Sequence, residues 1–376
     1  MSADAGQHDA AQHDAAPHDS GQRDAGQRDL FRGVSESDGQ PAAKRSSGTV
    51  KGIAVKSVPA FVAGEELADL ADKDPRIVAM TADLASASRL ADFGQRHPAR
   101  FFDLGIAEKN MITAAAGLAS TGHIPFVGTF ASFAALLGFE QIRTDCAYPG
   151  MPVRILAHHA GMSMGYYGTS HHALEDLAAM RAVAALTVAC AADANQLRAM
   201  LRASLELPGA VYLRLGRGRD PEVYAAVPEG FEFGRAVRLR EGSDATIITT
   251  GSELHPSLAA AELLAAGGCE VRVVDMHTVK PLDVPAVLAA ARETGAVVTV
   301  EEHSIIGGLG SAVAEVLADH RLAVPFRRHG IEDEYVLIGP PAALYAHYRL
   351  DAAGIAAVVR ETCAAPAAVR EQPAAR

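Results

Sequence analysis

Residues 153–191 read VRILAHHAGMSMGYYGTSHHALEDLAAMRAVAALTVACA, the pattern of a strand, a glycine-rich loop, a helix and a second strand. Short apolar runs at 153–158 and 186–191 are typical of strands, whereas 172–183 has the apolar spacing of a helix. Apolar strands joined by helices are typical of a parallel sheet that is covered on both faces. This stretch therefore predicts an α/β fold.

Strand–helix alternation continues on both sides of this unit. We predict further strands at 76–81, 99–103, 124–129 and 211–215, and further helices at 107–120, 132–147 and 194–205. A second series follows, with strands at 245–250, 270–276 and 296–301 and helices at 257–266, 284–293 and 311–318. Between the two series, the segment 216–234 is rich in Gly, Pro and charge and is typical of a linker. The sequence thus predicts two domains with parallel or mixed sheets, at 50–222 and 236–364.

Residues 1–49 differ from the rest of the chain. They repeat a five-residue unit, as in QHDAA at 7–11 and again at 12–16. A period of five matches neither a helix nor a strand, so no apolar face forms that could offset the entropy of ordering. The three His-Asp pairs in the repeat leave metal binding as an alternative. We predict a disordered, low-complexity tail.

Composition excludes several classes of protein. The 376 residues include 34 Lys and Arg against 45 Asp and Glu, a net charge of −11, whereas a nucleic-acid-binding protein would need a basic stripe. The four cysteines form no CxxC pair, which argues against a disulfide framework or a structural zinc. No run of 18 apolar residues and no secretory signal is visible. We expect a cytoplasmic protein that binds neither nucleic acid nor membranes.

Two glycine-containing motifs have alternative interpretations. Ser163 lies in a G-x-S-x-G match (161–165), the nucleophile elbow of serine hydrolases, but the elbow requires a helix to begin at once and the turn-rich run 166–170 follows instead. A flexible glycine loop at the carboxyl end of a strand, where α/β proteins bind ligands, fits better. The glycines in IGGLG (306–310) lack the acidic residue of a dinucleotide site, and close packing of a strand against a helix explains them better.

Polar residues gather around the glycine loop. His158 and His159 end one strand, and His171 and His172 follow the loop. Because adjacent residues on a strand point to opposite faces, His158 and His159 should not ligate one ion, and we expect hydrogen bonding or proton transfer instead. Glu108 opens an apolar helix, where it either interacts with the helix dipole or places a carboxyl at the edge of a pocket. Spacing alone leaves both alternatives open.

Together these segments resemble the C-terminal half of transketolase, and most closely the second subunit of split, two-gene transketolases. The resemblance rests on TADL (81–84), DLGIAEKNM (103–111), GLASTGHIPFVGTFASF (117–133), GTSHHALEDLA (168–178), YLRLGR (212–217) and VEEHSIIGGLGSAVAE (300–315). It covers residues 51–361. The implied fold is a thiamine diphosphate pyrimidine-binding domain followed by a transketolase C-terminal domain.

The resemblance also implies a cofactor, thiamine diphosphate, and residues that hold it. Glu108 matches the glutamate that hydrogen-bonds N1′ of the aminopyrimidine; a proton shared there favours the 4′-imino form, whose nitrogen can deprotonate the thiazolium ring. Phe130 and Phe133 match aromatic residues that pack around the pyrimidine ring. Asp83 matches an acidic residue near the cofactor, at the boundary between subunits.

Further matches concern the substrate. His159 and His171 resemble histidines that face substrate hydroxyls and assist proton transfer, and Arg217 resembles an arginine that binds a sugar phosphate. The segment before the second histidine departs from the usual Asp-Gly-Pro-Thr-His-Gln, because Tyr167 replaces the aspartate and His172 replaces the glutamine. The lost aspartate contacts a donor hydroxyl in the family, so a specialised substrate is expected here, with His172 part of the polar lining.

The chain contains no Gly-Asp-Gly, the motif with which such enzymes bind the diphosphate through Mg²⁺. We therefore expect no metal ligands in this chain and predict that an N-terminal transketolase subunit supplies the diphosphate and Mg²⁺ site, as an α₂β₂ heterotetramer.

The expected activity is transfer of a two-carbon ketol unit from a ketose or ketose phosphate to an aldehyde. Alternatives are the β subunit of a 2-oxo acid dehydrogenase, a carboligase like deoxyxylulose-phosphate synthase, a serine hydrolase that uses Ser163, and a non-catalytic structural subunit.

Overall fold

The computed structural model describes residues 59–217 and 220–364, so the tail predicted at 1–49 lies outside the described residues. The strands are β1 (Ile77–Thr81), β2 (Phe101–Asp103), β3 (Ile124–Phe130), β4 (Arg154–His158), β5 (Thr187–Cys190), β6 (Val211–Arg214), β7 (Val237–Arg240), β8 (Ala245–Thr249), β9 (Val271–Asp275), β10 (Thr278–Lys280), β11 (Val297–Ser304) and β12 (Phe326–Ile331). The helices are α1 (Pro59–Ala71), α2 (Leu90–Arg96), α3 (Glu108–Ser120), α4 (Asp176–Ala182), α5 (Ala194–Ser204), α6 (Leu254–Ala265), α7 (Val284–Glu293), α8 (Leu309–Asp319), α9 (Pro341–His347) and α10 (Ala352–Ala364). An irregular helical segment covers Phe133–Leu137, Phe139–Gln141 and Ile142–Ala147.

The first sheet has seven strands in the order β10-β5-β6-β4-β3-β1-β2. Strands β1 to β6 are parallel to their neighbours, and β10 pairs antiparallel with β5 at one edge. A separate apolar core covers each face, one around Ile112 and Ile155 and the other around Leu67 and Phe126. Each such fully buried side chain stabilises the fold by about 1.5–3 kcal/mol. The predicted parallel sheet with two covered faces is confirmed.

The second sheet has five strands in the order β12-β11-β8-β9-β7. Its strands are parallel except for β7, which runs antiparallel to β9. Helices α7 and α8 pack on one face around Val297 and Val313. The prediction of an α/β architecture with mixed sheets is confirmed here as well.

Two predicted helices differ from the structure by more than a shift of their ends. The helix predicted at 172–183 begins only at Asp176, because Ala173 forms a β-bridge with Gly161 and the His172 N–H donates to the Gly168 carbonyl. The helix predicted at 132–147 is replaced by the irregular segment, which Gly138 interrupts. A Cβ on Gly138 would lie 2.3 Å from Cδ1 of Ile112, so the chain comes too close to α3 for a larger residue.

The linker predicted at 216–234 forms no helix or strand in its described residues, but it is attached to the rest of the fold. The Asp193 carboxylate accepts hydrogen bonds from the N–H groups of Val223 and Tyr224, at 2.7 and 2.6 Å. Phe231 and Phe233 pack against the first sheet's core. None of the helices that the structure describes is long and apolar enough to cross a lipid bilayer.

Candidate active site

The carboxyl ends of the parallel strands meet at one edge of the seven-stranded sheet, which is where α/β proteins bind ligands. Strand β3 ends at Phe130 and β4 ends at His158, and the two residues are paired across the neighbouring strands. The loop after β2 leads at the same edge into α3, whose first residue is Glu108. Residues far apart in sequence are thus collected in one region.

Phe130, Phe133, His159 and His171 form a cluster of rings at this edge, here called the ring cluster. The Phe130 ring centroid lies 5.4 Å from that of Phe133, 4.8 Å from that of His159 and 5.7 Å from that of His171. Phe133 and His171 are 5.3 Å apart. Tyr167, which is 58% exposed, covers the outer side of His171 at 4.9 Å. The structure therefore brings two predicted cofactor residues and two predicted substrate residues into direct contact.

His159 has an unusual backbone and an unusual pKa. Its φ is 58°, in the left-handed region that few residues other than glycine adopt, and its N–H donates to the Gly216 carbonyl at 3.2 Å. Burial, followed by electrostatic interaction with the neighbouring Arg217 and His171, lowers the pKa of His159 to about 4. The imidazole is therefore neutral at physiological pH, and it can hydrogen-bond a hydroxyl rather than carry a charge.

The prediction that His158 and His159 point to opposite faces is wrong. Because His159 leaves the strand conformation, the two rings turn toward each other and their Nδ1 atoms lie 2.6 Å apart. His158 is buried, and its ring also meets the Phe130 ring edge-on at 5.2 Å. No group of three or more potential metal ligands occurs in the part of the chain that the structure describes.

Glu108 is the first residue of α3 and is only 7% exposed. It lies in the first turn, where the helix dipole favours a carboxylate. None of the hydrogen bonds among the described residues uses its side chain, and the residue before the helix, Ala107, offers no capping side chain. Its carboxyl oxygens are not among the fully buried unpaired atoms, so the carboxyl lies in a nearly buried residue yet is open to a ligand.

Asp83 follows β1 with a φ of 59° and is exposed. Its N–H donates to Oδ1 of Asp103 at 2.9 Å, and the same oxygen accepts the Gly105 N–H at 3.1 Å. This interaction connects the loops after β1 and β2, beside the start of α3. Asp83 and Glu108 lie at the same sheet edge as the ring cluster, and among the described residues no hydrogen bond or ring contact joins either of them to it.

Arg217 lies between the ring cluster and a neighbouring cavity. Its charge lowers the pKa of His159, and its Nη1 donates to the Ser163 carbonyl at 3.3 Å. Arg217 also lines a cavity of about 600 Å³, whose wall includes Ser252, Glu253 and Tyr345. The guanidinium is thus close to His159 and only half-buried, which leaves its other N–H groups available.

The glycine loop has no nucleophile-elbow geometry. The Ser163 hydroxyl donates to the Ala160 carbonyl at 2.7 Å, no described histidine contacts it, and a short 3₁₀ turn (Gly165–Tyr167) follows in place of an α-helix. His172 is buried beneath the loop, with Nε2 3.2 Å from the Gly165 carbonyl oxygen. In this arrangement His172 supports the loop, and its place in a polar substrate lining stays a prediction.

Sequence reasoning missed the main support of the loop, Glu302 on β11. Its Oε1 accepts hydrogen bonds from the Met162 N–H and the Tyr345 hydroxyl, both at 2.7 Å, and its Oε2 accepts one from the Ser252 hydroxyl at 2.8 Å. Gly161 has a φ of 66°, and a Cβ there would lie 2.0 Å from Cδ of Glu302. The sequence contains one signal for this role, two consecutive glutamates in an otherwise apolar strand. A carboxylate that is buried in such a strand needs hydrogen-bond partners from elsewhere in the fold.

The close-packing interpretation of the glycines at 307–310 is confirmed. A Cβ on Gly307 would lie 2.6 Å from Cβ of Ala178, and one on Gly308 would lie 2.0 Å from Oε2 of Glu301. That carboxylate accepts the N–H groups of Leu309 and Gly310 at the start of α8, at 2.6 and 2.7 Å.

Comparison with known proteins identifies the family of the chain. Residues 60–221 match the family model of the transketolase pyrimidine binding domain, and residues 234–355 match that of the transketolase C-terminal domain. The chain is 39% identical over 291 residues to one of the subunits of the apulose-4-phosphate transketolase of Phocaeicola vulgatus, covering 77% of this chain and 93% of the relative. It is 43% identical over 273 residues to the 6-deoxy-6-sulfo-D-fructose transketolase subunit SqwH of a Clostridium species, covering 73% and 84%.

A solved structure described as a split gene transketolase, inactive beta4 tetramer, has a TM-score of 0.74 and 43% identity, and the match covers 81% of this chain and 98% of that one. The chain therefore belongs to the transketolase family, of which it contains the pyrimidine-binding and C-terminal domains.

Proposed function

We propose that this chain is the pyrimidine-binding subunit of a two-subunit, thiamine diphosphate-dependent transketolase. It transfers a two-carbon ketol unit from a ketose or ketose phosphate to an aldehyde. The observation that carries the proposal is the carboxyl of the nearly buried Glu108, which has no hydrogen-bond partner in the described chain and lies at the sheet edge where the ring cluster forms.

These residues fit the aminopyrimidine half of the cofactor. An unpaired carboxyl can share a proton with a ring nitrogen, and the Phe130 and Phe133 rings, 5.4 Å apart, offer apolar faces to a heteroaromatic ring. Thiamine diphosphate supplies the carbon nucleophile and the electron sink when it is bound. In this proposal Glu108 holds the proton at N1′, the phenylalanines orient the ring and exclude water, and Asp83 lies at the boundary between subunits.

His159 and His171 form the substrate side of the proposed site. The neutral His159 imidazole and the half-buried His171 can hydrogen-bond substrate hydroxyls and hold a proton at a ring nitrogen. His172 supports the loop that carries them. Tyr167 stands where the family commonly has an aspartate, so a site with a ring in place of a carboxylate is expected to select a different donor.

We propose that a partner chain supplies the diphosphate and Mg²⁺ site and that the assembly is α₂β₂. The chain has no Gly-Asp-Gly motif, and its described residues include no group of three potential metal ligands. Two relatives are named as subunits of a transketolase, which supports a partner, as does the inactivity of the beta4 tetramer in the similar solved structure.

We expect the purified chain to show no ketol transfer alone and to gain it when a chain with the Gly-Asp-Gly domain, thiamine diphosphate and Mg²⁺ are added. The assay uses fructose 6-phosphate or xylulose 5-phosphate as donor, with pyruvate as the competing alternative. Full activity of the chain alone would contradict the proposal that a partner chain is required. Use of pyruvate without ketol transfer would favour the dehydrogenase or carboligase alternative.

Replacing Arg217 with methionine is expected to raise the KM for a phosphorylated ketose by about 10- to 100-fold, since a charge-assisted hydrogen bond contributes about 1.5–3 kcal/mol. The KM for erythrulose, which carries no phosphate, should change little. Arg235→Met is the matched control, because Arg235 is 74% exposed and pairs with Glu232 at the surface. An equal rise in KM for both ketoses would show that Arg217 does not select the phosphate.

A further inference from the structure

The close contact between His158 and His159 restricts where their protons lie. Two Nδ1 atoms 2.6 Å apart must have one proton between them, because two bare nitrogens or two N–H groups would repel each other. Burial and the neighbouring His159 lower the pKa of His158 well below its usual value, and that of His159 is lowered to about 4. Both rings are therefore neutral, and each carries a single N–H.

The surroundings of the two Nε2 atoms differ. Nε2 of His158 is fully buried and has no hydrogen-bond partner among the described residues. Nε2 of His159 likewise has no partner in the described chain, but it is not among the fully buried unpaired atoms, so it can reach solvent or a ligand. If His159 donated its Nδ1 proton to His158, the only proton of His158 would lie on the buried Nε2, where nothing in the described chain accepts it. Orphaned buried N–H groups are rare because they lose hydration without compensation.

We propose that His158 is a positioning residue that carries its proton on Nδ1 and donates it to Nδ1 of His159, which forces the His159 proton onto Nε2. Every N–H in the pair is then satisfied or open to the site. This inference rests on the proposed function. With its proton on Nε2, His159 is a hydrogen-bond donor to a substrate oxygen and is prevented from acting as a base through that nitrogen.

Two further contacts hold His158 in this role. It is paired with Phe130 in the sheet and meets the Phe130 ring edge-on at 84°, so its ring is fixed by the same residue that begins the ring cluster. The His159 backbone is fixed by its N–H bond to Gly216 and by its left-handed φ. The two imidazoles are thus held from both sides, and the proton position on one determines the proton position on the other.

The direct test is nitrogen NMR of the full-length chain labelled with ¹⁵N-histidine, in the absence of partner and cofactor. Long-range ¹H–¹⁵N correlations identify which ring nitrogen carries the proton, and spectra of His158→Asn and His159→Asn assign the signals. We expect His158 to be protonated on Nδ1, the less common form of free neutral imidazole, and His159 to be protonated on Nε2. A His158 proton on Nε2, or a His159 proton on Nδ1, overturns the proposal.

A matched pair of variants tests the consequence for activity. Asparagine places an amide N–H near the position of Nδ1, whereas leucine has nearly the same shape and no donor. We expect His158→Asn to retain most of the native kcat in the reconstituted enzyme, and His158→Leu to lose about 10- to 100-fold, the range seen when a partner that orients a metal-bound histidine is removed. Equal losses in both variants, or native kcat in His158→Leu, would overturn the positioning role.

The NMR spectra and the kinetic assay distinguish a failure of this inference from a failure of the proposed function. If the reconstituted complex shows no ketol transfer, all variants are equally inactive and the proposed function fails, while the NMR spectra still decide where the protons lie. Circular dichroism of both variants confirms that they are folded.

Discussion

Replacing Glu108 with alanine is expected to lower the kcat of the reconstituted enzyme by about 10²- to 10⁴-fold, the contribution typical of a positioned acid or base. The physical reason is that this carboxyl is available to hold the proton on the cofactor ring. Glu108 is only 7% exposed, and its carboxyl has no hydrogen-bond partner in the described chain. Steady-state kinetics with saturating cofactor measure the effect, so that weaker binding is not mistaken for a slower reaction.

Two other variants separate the catalytic interpretation from the structural one. Glu108→Gln keeps the shape of the side chain but cannot share an acidic proton, so its loss of kcat should approach that of alanine. Glu140→Ala is the matched control, because Glu140 is an exposed glutamate that pairs with Arg143 at the surface. If Glu108→Ala kept the native kcat, the chain would be a non-catalytic structural subunit.

The stability of the Glu108 variants provides a second contrast. A helix-dipole interaction in the first turn contributes only about 0.3–1 kcal/mol, and no hydrogen bond among the described residues depends on this carboxyl. We therefore expect the free energy of unfolding of the isolated chain to change by less than about 1 kcal/mol in Glu108→Gln. Activity should fall while stability does not.

Replacing Asp176 with alanine is expected to lower the free energy of unfolding by about 3–5 kcal/mol, since it leaves a buried guanidinium without its counter-charge. Asp176 is 1% exposed, and its Oδ2 accepts a bond from Nε of Arg214 at 2.8 Å and one from the Tyr212 hydroxyl at 3.0 Å. Arg214 also donates to the carbonyls of Ala173 and Glu302, both at 2.9 Å. The pair therefore joins β6, the start of α4 and β11.

Urea titration followed by far-UV circular dichroism measures this effect. The control is Glu140→Ala, which removes an ion pair whose side chains are 53% and 58% exposed and should change stability by less than about 1 kcal/mol. A loss in Asp176→Ala no larger than in this control would show that the buried pair contributes little. The double variant Asp176→Ala, Arg214→Met should recover part of the loss, because it removes the unpaired charge as well.

Much of the fold was predictable from the sequence because the signal is local. Buried strands such as β3 and β8 are short segments rich in apolar residues, and helices such as α3 and α7 have apolar residues at helical spacing, so neighbouring residues define them. The edge strand β2 was predicted at 99–103, but the three other edge strands escaped prediction. β7, β10 and β12 each include exposed or half-buried positions, and only their pairing with a strand elsewhere in the chain makes them strands.

In the candidate site, too, some features were predictable from the sequence and others depended on contacts between distant residues. The resemblance to transketolases allowed Glu108, Phe130, His159, His171 and Arg217 to be proposed from the sequence, whereas residue type and spacing by themselves indicated only the histidines and left Glu108 open. What the residues contact could not be predicted. The Met162 N–H and the Glu302 carboxylate that holds it are 140 positions apart, and a spacing rule for strands misplaced His158 relative to His159 because it assumes a φ that His159 does not have.

By itself, then, the sequence determined the α/β architecture, the family and the set of residues proposed to carry its chemistry. Only the tertiary structure decided which of these residues meet, that Glu108 is nearly buried without a hydrogen-bond partner in the described chain, and that the Nδ1 atoms of two adjacent imidazoles lie 2.6 Å apart. The physical reason is that periodicity and residue type act over a few residues, whereas burial, desolvation and hydrogen-bond partnership depend on segments that folding brings together from distant parts of the chain.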